Sequence, residues 1–336
     1  MQPFLYVQIT SPHLFFYRNK IALSAFQMPH QTRANLLRPV LFWMFLVGAL
    51  ASSVGLRAQS LVFPNFSSTN GLTLNSSSTA TTTADGTVLR LVQATINSDK
   101  GSAFATSTRT VTSGFSTAFE FRLSNRGGSG DGIAVGADGF VFVIQHEGAS
   151  AIGGTGEYLG YGGSISSTKI LTSVGIEFDT YKNTSQSDPS SNHIGVNLNG
   201  NVSSVTGTTA IINTADFDNG QKWSSWIDYN GSTLEVRVSN TGVRPISANL
   251  AYAMTSSAFQ TTLGNTSAFI GFTAATGGDV ANHDIIAWTF SDSFVPGGVT
   301  AGSAIPEPAD FALLASAAAL VAVALRRIRT KRRALD

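Results

Sequence analysis

The sequence contains no cysteine, which removes disulfides and thiolate-held metals, so any metal must be held by oxygen and imidazole. Charge is sparse as well, with Asp, Glu, Lys and Arg making up only 12% of the 336 residues. The formal net charge of +1 conceals an uneven distribution: eleven of the 21 Lys and Arg lie before Gln59 or after Ile305, against three of the 20 acidic residues. The segment between holds 10 basic and 17 acidic residues, a net charge of −7. It lacks any basic stripe interleaved with aromatics. Such a surface repels a phosphate backbone, so no nucleic acid partner is expected. Amphipathic helical windows of convincing length are missing outside the two ends. No Gly-x-Ser-x-Gly elbow stands between a strand and a helix, which argues against Ser/His/Asp catalysis.

The two ends read as addresses. In residues 1–58, Arg33 and Arg38 precede an apolar run from Val40 to Leu50, and small residues follow at Ala49, Ala51 and Ala58. That order is that of a secretory signal peptide, with cleavage expected after Ala51 or Ala58. The run is too short for a comfortable membrane span, which needs about 20 apolar residues. The residues before Met28 do not fit a signal, so an overextended start is expected, with Met28 as the true first residue. A structured extension is the alternative. At the other end, Pro306-Glu307-Pro308 leads into the Ala-, Leu- and Val-rich stretch 311–325, followed by Arg326, Arg327, Arg329, Lys331, Arg332 and Arg333. An apolar segment followed by a basic cluster is a stop-transfer arrangement, which predicts a transmembrane helix. Residues 306–336 resemble the PEP-CTERM sorting signal of Gram-negative bacteria. The resemblance implies an exosortase-type processing machinery as partner, with inner-membrane anchoring before processing and then a place at the cell surface or in the extracellular matrix. A simple membrane anchor is the alternative, and either reading puts the middle of the chain outside the cytoplasm.

What remains, residues 59–295 with a linker at 296–305, is rich in Gly, Ser, Thr and Asn. That composition suits many short strands joined by tight turns. Strands are predicted over Thr117–Leu123, Gly139–Gln145, Ser173–Thr180, His193–Leu198, Ser224–Tyr229, Thr233–Ser239, Ser267–Thr273 and Asp284–Phe290. Gly-Gly, Asn-Gly and Asp-Gly steps between them supply the positive φ that tight turns demand. The expected fold is all-β, a jelly-roll sandwich of two antiparallel sheets.

One segment concentrates chemistry. Along Val174-Gly175-Ile176-Glu177-Phe178-Asp179 side chains alternate between faces, so Val174, Ile176 and Phe178 enter the core while Glu177 and Asp179 share the other face. A polar loop containing Asn183 and Asp188 follows, and then a strand whose Ile194, Val196 and Leu198 face the core and whose His193 leans toward the carboxylates. Gathering these like charges costs free energy unless a cation offsets it. Oxygen ligands suit Ca²⁺, whereas carboxylates mixed with an imidazole suit Mn²⁺ or another transition metal. Asp179 and Asp188 have enough oxygens to serve both. Scattered surface polar residues around a turn are the plain alternative.

The segment VGIEFDTYKNTSQSDPSSNHIGVNLNG (174–200) closely resembles the metal-binding segment of the legume-type (L-type) lectins, spacing included. Three further stretches agree in order: ADGFVFVIQ (137–145), WIDYNGSTLEVRVS (226–239) and FIGFTAATGGDVANHDIIAWTFS (269–291). The resemblance implies a concanavalin-like sandwich. It implies Glu177, Asp179, Asp188 and His193 as Mn²⁺ ligands, and Asp179, the Tyr181 carbonyl, Asn183 and Asp188 as Ca²⁺ ligands. It assigns Asp138 and Asn183 to a sugar, with a ring at Tyr181, an N–H from Gly154 or Gly156, and a cis peptide at Ala137-Asp138. The loop from Gly277 through Gly278 and Asp279 to His283 is expected to line the same pocket, with His283 a structural neighbour. The Gly153–Gly160 loop is longer than the usual version, which leaves specificity open.

The implied function is carbohydrate binding without catalysis, toward glycans or an exopolysaccharide, in a possible homodimer. A calcium-stabilised adhesive surface protein is one alternative. A jelly-roll glycoside hydrolase is another, since Glu177-Phe178-Asp179 resembles the start of its paired-carboxylate motif. The next position on that face is Tyr181, where the hydrolase pattern requires Glu.

Overall fold

The computed structural model describes residues 60–128 and 136–297. The signal segment, the sorting tail and most of the expected linker lie outside the described residues. Among the described residues no helix is long and apolar enough to cross a membrane.

The chain forms β1 (Ser60–Phe63), β2 (Leu72–Ser76), β3 (Thr79–Thr83), β4 (Gly86–Val92), β5 (Lys100–Ala105), β6 (Arg109–Thr110), β7 (Phe115–Gly127) and β8 (Gly139–Gln145). It continues through β9 (Ser173–Asp179), β10 (His193–Leu198), β11 (Thr209–Ile211), β12 (Lys222–Tyr229), β13 (Thr233–Ser239), β14 (Leu250–Ala253), α1 (Ser256–Leu263), β15 (Ser267–Ala275) and β16 (Val280–Ser291). Two antiparallel eight-stranded sheets result. One runs β14-β13-β12-β7-β16-β4-β3, with β1 also on β16; the other runs β11-β10-β9-β8-β15-β5-β2, with β6 also on β15. All eight predicted strands are present, several of them longer than predicted. The expectation of no helix is corrected by α1, whose Thr255 side chain caps the Ala258 N–H at 3.2 Å and whose end is turned by Gly264 at φ 67°. At eight residues it is too short to show a clear 3.6-residue periodicity, and only Phe259 and Leu263 are buried.

Alternation explains the core. Phe140, Phe142 and Ile144 of β8 and Val174, Ile176 and Phe178 of β9 point between the sheets, where they meet Phe119, Phe121, Phe272 and Trp288. Phe140 and Phe178 are paired across β8 and β9 and stack at 4.6 Å between centroids. Each such side chain contributes about 1.5–3 kcal/mol by leaving water. Val141 and Val143 face the other way, yet they are buried too. They form a second apolar cluster with Phe104, Leu159, Tyr161, Ile170 and Val202, covered by long loops. This two-sided burial accounts for the uninterrupted apolar run of β8.

Register places the site. Ala275 of β15 pairs with Gly139, Gly139 with Asp179, and Asp179 with His193. These positions form one row at the end of the sheet, so Asp138, Asp179, His193 and the Gly277 loop meet there although they are far apart in the chain.

Candidate metal and sugar site

Glu177, Asp179 and His193 all lie on the sheet face turned away from the main core, as alternation requires, and loops bury them. The loop after β9 is tied down by its own carboxylates: the Tyr181 N–H donates to Asp179 Oδ1 at 2.8 Å, and the Asn183 N–H to Asp188 Oδ2 at 2.7 Å. Asp179, Asp188 and His193 each offer a ligand atom, and these atoms all lie within 4.8 Å of one another. His193 Nδ1 donates to the Ser190 carbonyl at 2.9 Å, since a carbonyl only accepts. This leaves Nε2 facing the acids, 3.2 Å from Glu177 Oε1. Glu177 also accepts from Ser204 Oγ and from Asn197 Nδ2, each at 2.5 Å.

Charge is concentrated here. Burial pushes Asp179 well above the usual carboxylate range, and Asp188 and Glu177 add to the effect. Burial likewise pushes Asp188 up to about 6, against the opposing Asn183 N–H. For His193 burial works downward, but the Glu177 contact and the charge of Asp188 outweigh it and raise the imidazolium. The Asn183 Oδ1 atom is buried and finds no hydrogen-bond partner. Crowded acids, an imidazole whose Nε2 becomes a ligand once its proton leaves, and an orphaned amide oxygen together fit a divalent cation.

Beside this cluster lies a cavity of about 320 Å³ lined by Ala137, Asp138, Gly156, Glu157, Tyr181, Asn183, Gly277, Gly278 and Asp279. Asp138 follows a cis peptide from Ala137. Its Oδ2 is buried without a hydrogen-bond partner, and burial first, then Asp279, Glu157 and Asp188, push its carboxyl up to about 8. Glycine keeps the approach open, since a Cβ on Gly277 would stand 3.2 Å from Asp138 Oδ2. His283 is a structural neighbour: it is wholly buried, its Nδ1 donates to the Ala281 carbonyl at 3.0 Å, and its Nε2 accepts the Gly139 N–H at 3.2 Å. Burial holds its imidazolium down to about 4, so the ring is neutral.

Of the expected sugar contacts, Asp138, Gly156, Tyr181, Asn183, Gly278 and Asp279 line the cavity, and Gly154 does not. The Gly154 N–H donates to the Gly162 carbonyl at 2.7 Å, and the Gly156 N–H to the Thr276 carbonyl at 2.9 Å. Both N–H groups considered from the sequence are thus used within the fold, because the loop folds back on itself and on the residue that follows β15. Sequence reasoning missed Glu157, which lines the cavity and accepts from Ser185 Oγ at 2.6 Å. It also missed Asn197 and Ser204. Asn197 is two residues from Gly195 on the outward face of β10, which was a usable signal; Ser204 comes from a loop and carried none.

Comparison with known proteins agrees with this geometry. The legume lectin domain family model matches residues 58–302. The L-type lectin-domain containing receptor kinase VIII.1 of Arabidopsis thaliana is 34% identical over 196 residues, 58% of this chain and 26% of the kinase. The chain spans about a quarter of the length of the plant receptor kinases it matches. The seed lectin beta chain of Spatholobus parviflorus is 30% identical over 188 residues, 53% of this chain and 69% of that one. In structure, the lectin from Bauhinia forficata in complex with GalNAc aligns with a TM-score of 0.56 at 23% identity, covering 70% of this chain and 98% of that one. Legume lectins are non-catalytic carbohydrate-binding proteins, which sets the hydrolase alternative aside. With the two-sheet sandwich, the acid and imidazole cluster and the family match all falling on the same residues, the chain belongs to the legume lectin domain family.

Proposed function

We propose that this protein is an exported lectin that binds glycans or an exopolysaccharide in the Asp138 cavity, with Ca²⁺ and Mn²⁺ or another transition ion held alongside. The observation that carries this reading is the partnerless, buried Oδ2 of Asp138 at the wall of a cavity shared with Tyr181 and Asn183. A carboxylate accepts from sugar hydroxyls, the Asn183 amide donates, and the Tyr181 ring covers an apolar sugar face. Glu177, Asp179, Asp188 and His193 would hold the transition ion, and Asp179, Asp188, Asn183 and the Tyr181 carbonyl the calcium. When bound, the ions supply the positive charge that offsets these carboxylates.

The same reading includes a signal peptide within residues 1–58, a linker at 296–305, a PEP-CTERM tail with a transmembrane helix at 306–336, exosortase-type processing and a possible homodimer. The basis for the two ends is the order of apolar and basic residues in the sequence. A glycan array with the chain, with and without Ca²⁺ and Mn²⁺, tests the central claim. Metal-dependent binding that is lost in Asp138→Ala supports it. Binding that survives exhaustive chelation, or that Asp138→Ala retains, refutes it.

A further inference from the structure

We infer that Lys100, which does not line the Asp138 cavity, is a positioning residue for sugar recognition: it holds the Gly153–Gly160 loop, from which Gly156 and Glu157 enter the cavity wall. This rests on the lectin reading above and extends it to a residue outside the cavity. Register brings Lys100 to the site. It pairs with Ala275 and so lengthens by one strand the row that runs through Gly139 and Asp179 to His193. Residues opposite one another in a sheet share a face, so the Lys100 side chain leaves the sheet on the side where Asp179 and His193 stand. Its Nζ donates to the Gly153 carbonyl at 2.8 Å. Two further side chains hold the stretch that leads into the loop. Ser102 Oγ, on the same face of β5, donates to the Ala151 carbonyl at 2.8 Å. Asn75 Nδ2 of β2 donates to the Ala149 carbonyl at 2.9 Å and to Ser102 Oγ at 3.0 Å. The carbonyls of alternate residues 149, 151 and 153 are thus gripped in turn by β2 and β5.

The loop needs such a hold. Four of its eight residues are glycine, and ordering glycine costs more backbone freedom than ordering any other residue. It is closed on itself by the Gly153 N–H to the Gly160 carbonyl and the Gly160 N–H to the Gly154 carbonyl, so a shift at Gly153 carries to Gly156 and Glu157. Thr273 of β15 secures the far end, through the Leu159 carbonyl at 2.9 Å. Lys100 secures the entry from the neighbouring strand, and its bond is charge-assisted, about twice as strong as a neutral one. The two residues before it hold the other wall: the Ser98 N–H donates to the Gly277 carbonyl and the Thr276 N–H to the Asp99 carbonyl, each at 2.9 Å. One short segment, Ser98 to Lys100, therefore fixes both the Gly277 side of the cavity and the Glu157 side.

The test uses the full chain loaded with Ca²⁺ and Mn²⁺. Lys100→Met keeps the apolar stem and removes the donor. Amide hydrogen exchange across the Gly153–Gly160 loop, followed by mass spectrometry without sugar, should quicken about tenfold in this variant, with β8 and β9 unchanged. Its affinity for the immobilised glycan that the wild-type chain binds most tightly on the array should fall about fivefold. Mn²⁺ affinity measured without glycan should stay as in the wild type. Lys100→Arg, which keeps a charged donor, should restore most of the loop protection and of the glycan affinity. Lys222→Met, an equal charge change on the opposite sheet, should alter neither. Ser102→Ala carries the same expectation through the Ala151 carbonyl should Lys100→Met not fold. Loop exchange or glycan affinity unchanged in Lys100→Met and Ser102→Ala alike overturns the inference and leaves the lectin reading intact. So does a loss of Mn²⁺ affinity as large as the loss of glycan affinity, or a Lys100→Arg chain as weak as Lys100→Met. A folded, metal-loaded wild-type chain that binds no glycan on the array removes the lectin reading and the inference together.

Discussion

Gly195 of β10 stands directly across from Glu177 of β9, and a Cβ on it would lie 2.4 Å from Glu177 Oε1 and 2.0 Å from Ser204 Oγ. The missing side chain is what lets the Glu177 carboxylate lie over the neighbouring strand and meet Asn197, Ser204 and His193. Gly195→Ala should therefore cost about 1–3 kcal/mol of stability through overpacking. Metal affinity should fall as well, because Glu177 has to turn away. Urea denaturation and a Mn²⁺ titration on the same variant measure both effects.

Phe178 should couple the core to the site. It stacks on Phe140 and lies between Glu177 and Asp179 in sequence, with its side chain on the opposite face. Truncation by Phe178→Ala is expected to destabilise the sandwich by about 3–5 kcal/mol. It should also weaken metal binding, although no ligand atom is removed. Thermal melts in excess chelator separate the first effect from the second.

The buried ring of His283 sets an acid limit. Its folded value of about 4 lies below the ordinary 6.5. A depressed value means that the unfolded chain takes up the proton first as pH falls. Stability is complete above about pH 6.5 and is lost as pH falls toward 4, by about 3 kcal/mol for this group. Urea midpoints measured across that window should show the loss, and His283→Gln should flatten it while lowering stability at neutral pH, since the Gly139 N–H then has a poorer acceptor.

Metal loading should release protons. Burial raises Asp179 above the usual carboxylate range, with Asp188 and Glu177 adding to it, and burial raises Asp188 to about 6, with Glu177 and Glu157 adding to it. Asp188 therefore holds a proton that a cation displaces, more near pH 6 than near pH 8. Calorimetric titration with Ca²⁺ in two buffers of different ionisation enthalpy measures the number released, and it should fall in Asp188→Asn.

Much of this was legible in the chain. Period-two alternation assigned Val174, Ile176 and Phe178 to the core and Glu177 and Asp179 to the site, and the structure agrees at every one of these positions. The strands read from the sequence carry apolar patterns, although the apolar β4 was also missed. Strands β2 and β3, rich in Thr, Ser and Asn and half exposed, carried no such pattern and were missed. The loop chemistry was harder. Whether an N–H is open to a ligand depends on which carbonyl lies across from it, and Gly156 finds its acceptor at Thr276, 120 residues further on.

The sequence by itself determined the all-β class, the faces of the central strands and the identity of the acid and imidazole cluster, because these follow from local alternation and from side-chain chemistry. Only the tertiary structure decided what surrounds that cluster. The row from Ala275 through Gly139 and Asp179 to His193, the support of Gly139 by His283 and the entry of Glu157 into the cavity depend on strand register and loop packing between distant segments. No local pattern encodes those contacts, since their partners meet only once the sheet has formed.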